Sequence, residues 1–431
     1  MTAVATENAS VPAGVGRHRR APAGWLRRFP VTIGLTVQYV PFAVVPAVLS
    51  GNPHRWFVIQ LTGLAVLAAF GVEVALARLH RPGPQWVARL TGPVGRDRRL
   101  ARGARLVAAV ALGTNLLGTL VGMNSYRVAI DAVSRSTVEP LLTPFRAWPL
   151  IAVVLISCAW RAGVLPVRAA LGWLAALAAS VLLNVTVAGM FAPAFEFFTG
   201  AAACLLLLGL VRVRTVLAVV LAGLLLWPMA ITVRNEVRMA AGAVQYRDYD
   251  AYGRLRLDTL IGSAAGHPVP IDVGQPDLLT MARYAVLPRM LDRDRPQVST
   301  GRLLDTFRGG SGQSSYTFLS VGNLWLLTGP AGMMLFFAVV AAYLGLLLAT
   351  RSGPFKLAAA VLVIEDLVLV GMMYPDSIAG HLQALVALGA AYLVVRLAGG
   401  ARRADRGSPT DRGRRTASVG PGDSTTDVRP I

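Results

Sequence analysis

Ten apolar runs, each close to the length that crosses a bilayer, constrain this chain more than anything else in it. They fall near residues 31–50, 56–78, 104–124, 148–165, 168–189, 195–211, 214–233, 330–350, 355–374 and 380–398. A helix rises 1.5 Å per residue, so about 20 apolar residues span the hydrocarbon layer. At 431 residues, with 55% hydrophobic and only 15% charged, the chain is too apolar for a water-soluble domain. The expected fold class is an all-α polytopic membrane protein. It has about ten transmembrane helices and one large external loop between the seventh and the eighth.

The net charge of +20 invites a nucleic-acid reading. Its distribution argues against one, because the excess sits in short turns and tails beside apolar runs, where it orients a membrane protein. Segment 78–105 carries eight arginines against one acid, Asp97. Arg161 with Arg168, Arg212 with Arg214, Arg351 with Lys356, and the tail from Arg402 are the other basic connections. They alternate with poorer ones at 50–56, 125–147, 190–196 and 374–381. The alternation places both termini in the cytoplasm and residues 234–329 outside. Arg17, Arg19, Arg20, Arg27 and Arg28 precede a first run that reads as a signal anchor. Cys158 and Cys204 both lie in apolar runs and read as small core residues.

Five regions follow. Residues 1–29 and 399–431 are Pro-, Gly-, Ser- and Arg-rich tails without apolar periodicity, expected to be disordered and cytoplasmic. Residues 30–233 hold seven spans and 330–398 hold three, with the loop 234–329 between them. That loop has eleven arginines, no lysine and nine of the chain's 22 acids in 234–318. The seventh helix is expected to run on past Val233. Leu278–Leu287 reads as a short helix ended by Pro288. Tyr316–Thr328 is apolar but too short to span, and could re-enter and line a cavity.

Guanidinium groups bind phosphate in a bidentate way and stay charged, so the arginines are the first candidates for chemistry. Arg283, Arg289, Arg293 and Arg295 cluster around the stretch from Pro288 to Pro296, and Arg234 and Arg238 share a face one turn apart. For Arg289 and Arg295, held between two prolines, both readings stand: a clamp on phosphate, or pairing with neighbouring acids on the surface. Arg293 and Arg302 are read as pairing with Asp292, Asp294 and Asp305 on a solvated surface. Glu196, Asp376 and His381 are binding candidates by placement at the outer membrane face, and His54 is a further external histidine. Glu365 and Asp366 sit inside the ninth run, where a charge costs about 2.5–3.5 kcal/mol. Adjacent positions lie about 100° apart on a helix. The two acids are therefore expected to serve structure, paired with a partner such as Arg161 or protonated and packed, away from any loop-borne site. No Walker, HExxH, CxxC or Rossmann pattern occurs, and no cofactor or metal is expected.

At the outer loop and eighth span the chain resembles the O-antigen polymerase family, which polymerises oligosaccharide repeat units of bacterial surface polysaccharides. Pro288-Arg289 followed by Asp294-Arg295-Pro296 is similar to the family's Pro-Arg…Asp-Lys-Pro stretch, with Arg for Lys. Ser320-Val321-Gly322-Asn323-Leu324-Trp325 leading to Gly329 and Gly332 resembles the segment entering a late span. Many spans with one large late external loop complete the likeness. The related ligases carry His-Asn where this chain has Gly322-Asn323, which points to polymerase. The resemblance implies metal-independent glycosyl transfer between glycans on polyprenyl diphosphate at the outer face of the cell membrane. It implies Arg289, Arg295 and Asn323 as catalytic; Arg234, Arg238 and Arg283 by their chemistry, and Glu196, Asp376 and His381 by placement alone, are the candidates for binding substrate. Membrane lipids, a flippase and a chain-length regulator are the implied partners.

Two alternatives compete. A polyprenyl-phosphate-sugar glycosyltransferase usually places acids in its first external loop, and here that loop, Gly51-Asn52-Pro53-His54-Arg55, has none. A flippase or transporter of lipid-linked glycans would want a cavity within the membrane and two related halves, and no internal repeat is evident. Reporter fusions at residues 270 and 410 are expected on opposite sides of the membrane; the same side for both would refute the topology.

Overall fold

The computed structural model describes residues 24–79, 98–122, 138–188, 191–240, 251–287, 299–310, 316–349, 353–369 and 371–400. Among them every regular element is helical. Helix α1 (Pro30–Leu49) and α2 (Arg55–Leu79) form an antiparallel pair. They are followed by α3 (Arg98–Leu120), α4 (Trp148–Arg161), α5 (Val167–Ala188), α6 (Ala192–Leu207) and α7 (Val213–Ala240). Three short helices come next: α8 (Leu257–Gly262), α9 (Leu278–Val286) and α10 (Thr300–Phe307). The chain then forms α11 (Leu319–Ala349), α12 (Pro354–Val363) and α13 (Asp376–Gly400).

The protein is a polytopic membrane protein. Among the described residues eight helices are long and apolar enough to cross a bilayer, matching eight of the ten runs. The other two runs behave differently. Run 195–211 gives the 16-residue α6, and run 355–374 stops as an α-helix at Val363. As expected, α7 runs beyond Val233, and α9 ends at Val286 before Pro288. Helix α7 packs mainly on α5, and Leu221, Leu225 and Met229 are well exposed, as suits a helix coated by lipid.

Buried polar groups fix the N-terminal helices. Pro30 occupies the first position of α1, where its missing N–H costs nothing. The next two amides have no partner within the helix. Glu73 of α2, only 2% exposed, takes both: Val31 N–H at 2.7 Å and Thr32 N–H at 3.3 Å. Midway along α1 the buried Tyr39 hydroxyl bonds Ser320 Oγ and accepts from Val321 N–H at 3.3 Å, tying α1 to the start of α11. Gly103 of α3 meets α13 so closely that a Cβ would lie 2.8 Å from the Val395 Cα, the small-residue contact typical of membrane helices.

Residues 251–287 and 299–310 fold back over the ends of α1, α2 and α11. Asp258 is fully buried and accepts from Asn52 Nδ2 at 2.8 Å and from Arg256 Nη2 at 2.9 Å. Arg256 also reaches Ser50 Oγ at 2.6 Å. Ala264, Ile271, Leu304, Phe318, Leu326 and Leu327 form a separate small core beneath this segment. Asp277 caps α9, and the Thr280 amide and hydroxyl hold its carboxyl below the usual range. The Leu319–Thr328 part of α11 is mostly buried against the bundle, and its Leu327 lines a small cavity with Ile271 and Tyr374. It meets the following span at Gly329, whose φ of 73° and ψ of 177° only glycine adopts readily.

Replacing Glu73 with Ala strands two buried amides and is expected to cost about 1–3 kcal/mol. A lowered thermal midpoint of the purified protein, with Glu73→Gln much milder, is the expected result. An unchanged midpoint would show that the cap stabilises nothing.

Candidate functional site

The ninth apolar run does not stay α-helical through its acids. After Val363 the backbone widens into a π-turn over Ile364–Val368, and Leu369 is extended at φ −61° and ψ 147°. The chain then crosses back through 371–375 to start α13 at Asp376. Non-helical backbone at membrane depth is tolerated only where protein or a polar cavity satisfies it. Here Asn323 Nδ2 donates to Met372 O at 3.3 Å, and Met373 N–H donates to Ser377 Oγ at 2.9 Å.

Beside this break lies a cavity of about 480 Å³, walled by α3, α5, the start of α4, the start of α6, the π-turn and α13. Four carboxyl-bearing residues line it: Glu196, Glu365, Asp366 and Asp376. Arg146 also lines it and stands 3.9 Å from Glu196. Asn115 and Asn184 form its amide wall, with Asn184 Nδ2 donating to Asn115 Oδ1 at 3.1 Å and Asn115 Nδ2 to Ser180 Oγ at 3.0 Å. Leu150, Phe197, Leu369, Ala384 and Ala387 make the apolar remainder. His381 is not in the wall. It sits behind it, 5% exposed, with Nδ1 2.8 Å from Asp366 Oδ2 and its ring edge-on to Tyr343.

The expectation for Glu365 and Asp366 is therefore corrected. The π-turn lets adjacent acids line one cavity, and because the helix ends there, they lie beside the start of α13 rather than turns away from it. Asp366 has a partner, but it is His381 and not Arg161.

The other named residues are distributed as follows. Glu196 and Asp376 face the cavity together. Asp376 also accepts Thr300 N–H and Oγ1, both at 2.9 Å, which caps α10 and anchors the segment above the cavity. Arg283 is exposed on α9, which packs along α13. Arg234 and Arg238 lie near the end of α7, and Arg234 is buried with Nη2 donating to Asn235 Oδ1 at 3.1 Å. Neither lines the cavity. Asn323 is fully buried. Its Oδ1 accepts from Phe318 N–H at 3.0 Å, and its Nδ2 donates to Thr317 Oγ1 at 3.0 Å. Its geometry is that of a strut joining α11 to the broken end of α12. Arg289, Arg293 and Arg295, with the whole 288–298 stretch, lie outside the described residues. Arg146, Asn115 and Asn184 escaped the sequence reading. The signal for the two amides was polar side chains within spanning runs, which usually face an interior.

Chemically the cavity is anionic and amphiphilic. Carboxylates can accept hydrogen bonds from neutral hydroxyls and can take a proton, while a single guanidinium offers one anion contact. Among the described residues no group of three or more His, Cys, Asp or Glu is placed to hold a metal ion. No family model, curated protein or solved structure matches this chain.

Asn323→Ala removes four backbone and side-chain partners at once: Phe318 N–H, Thr317 Oγ1, Met372 O and Met373 Sδ. It is expected to lower thermal stability by about 2–3 kcal/mol while turnover per folded molecule stays near wild type. A stable variant with lost turnover would instead make Asn323 part of the chemistry.

Proposed function

We propose that this protein is a membrane polymerase that joins polyprenyl-diphosphate-linked oligosaccharide repeat units on the outer face of the cytoplasmic membrane. In this reading it has ten spans with both termini cytoplasmic, and the Asn52 face is the outer one. The carrying observation is the acid-lined cavity at the broken end of α12, whose Asp376 also accepts from Thr300 of α10, the helix that follows the arginine-rich stretch in sequence. Glycosyl transfer from a lipid diphosphate makes two separate demands. Charge growing on the departing diphosphate needs cations, and the acceptor hydroxyl needs a group to take its proton. The 288–296 stretch, with Arg289 and Arg295, offers the first, and the cavity offers the second. An apolar lining and a lipid-facing bundle suit a substrate tethered to the membrane, which also supplies proximity.

A second reading, a flippase or transporter of lipid-linked glycans, draws on the same carboxylates, because acids at membrane depth also serve proton-coupled transport. Deleting the gene separates the two. Accumulation of single repeat units at the surface is expected for a polymerase, whereas loss of all surface glycan would establish the flippase. Within the polymerase reading, Arg289→Lys is expected to cut polymerisation at least about tenfold at normal protein level, because a point charge does not reproduce bidentate geometry. Arg302→Ala should be mild, and equal small effects from both would remove the special role of Arg289.

A further inference from the structure

We infer that the acid-lined cavity receives the neutral sugar of the acceptor, and that Asp366, positioned by His381, takes the proton of the attacking hydroxyl. The inference rests on the glycosyl-transfer reading and adds which substrate sits where. Sign of charge comes first. Four carboxyl groups against one guanidinium is the wrong lining for a diphosphate, which like charges would repel. It is the right lining for a polyol, whose hydroxyls donate to carboxylates. The Asn115–Asn184 pair extends the same hydrogen-bonding surface along one wall.

Two further observations single out Asp366 among the acids. Asp376 is already engaged by Thr300, and Glu196 stands near Arg146. Asp366 alone lines the cavity while bonded to an imidazole outside it. His381 Nε2 is buried without a hydrogen-bond partner. An imidazolium would leave a buried N–H unsatisfied, so the neutral tautomer with its proton on Nδ1 fits this site. That N–H donates to Asp366 Oδ2 and fixes the carboxylate that serves as base, with Glu365 as its other side-chain hydrogen-bond neighbour. The charged and titratable groups around the pair are Glu365, Glu196, Arg146 and Tyr343.

The step balances. The acceptor hydroxyl oxygen bonds to the anomeric carbon of the donor as the bond from that carbon to the diphosphate oxygen breaks. The bonding pair leaves with the lipid diphosphate, and the hydroxyl proton passes to Asp366. Asp366 is the catalytic residue of this proposal and His381 a positioning residue.

Variants in the deletion strain, matched for folded protein by size exclusion, test it through the length distribution of surface glycan. Asp366→Asn is expected to lose at least about a hundredfold in polymerisation and to accumulate single repeats, as removal of a general base does. His381→Leu should lose activity most strongly at low pH, moving the acid limb of the profile upward, because the carboxylate loses the donor that favours its charged form. His381→Gln, which retains a donor, should recover part of that loss, a rescue that a purely structural histidine would not show. Asp366→Asn polymerising like wild type, or Glu365→Gln proving more damaging than Asp366→Asn, would overturn the assignment. A deletion strain with unchanged glycan would instead remove the glycosyl-transfer reading itself.

Discussion

A helix cannot stop inside a membrane unless the amides and carbonyls it releases find partners. The rest of this molecule is arranged around one such stop. Where α12 ends at its π-turn, Asn323 reaches across from α11 to the Met372 carbonyl, and Ser377 takes the Met373 amide. Asn323 is held in turn by Thr317 and the Phe318 amide, at the left-handed approach to α11. The break is therefore a joint between two elements. It opens the interior just where two acids lie.

The same logic explains how the described part of the segment 251–310 is tied down. It has too little apolar surface to bury itself, and its small core borrows Leu326 and Leu327 from α11. Its other attachments are buried or half-buried acids that accept several donors each. Asp258 gathers Asn52 and Arg256, and Asp376 caps α10. Asp376 belongs to the cavity wall as well, so α10 and the cavity share one carboxylate. In the proposed reaction this matters, because the arginine-bearing stretch follows α9 and precedes α10 in the sequence.

The cavity holds four carboxyl groups and one guanidinium, whereas the polar stretch 234–318 mixes eleven arginines with nine acids. The proposed reaction draws its proton acceptor from the first and its cations from the second.

From the sequence alone came the membrane class, eight of the spans, the prolonged α7 and the short α9. These follow from local quantities: run length against bilayer thickness, charge in the turns, proline as a stop. Glu196, Asp376 and His381 were legible as candidates because each lies near the end of an apolar run. What the sequence could not decide was whether the ninth run remains helical through Glu365 and Asp366. Periodicity assumes an unbroken 3.6-residue turn, which puts the two acids on different faces. Only the tertiary structure supplies the partners, Asn323 and His381, contributed by two other helices, that let the helix widen and end there. Arg146, Asn115 and Asn184 were illegible as site residues for the same reason: a cavity is a property of the space between helices, and no single helix carries it.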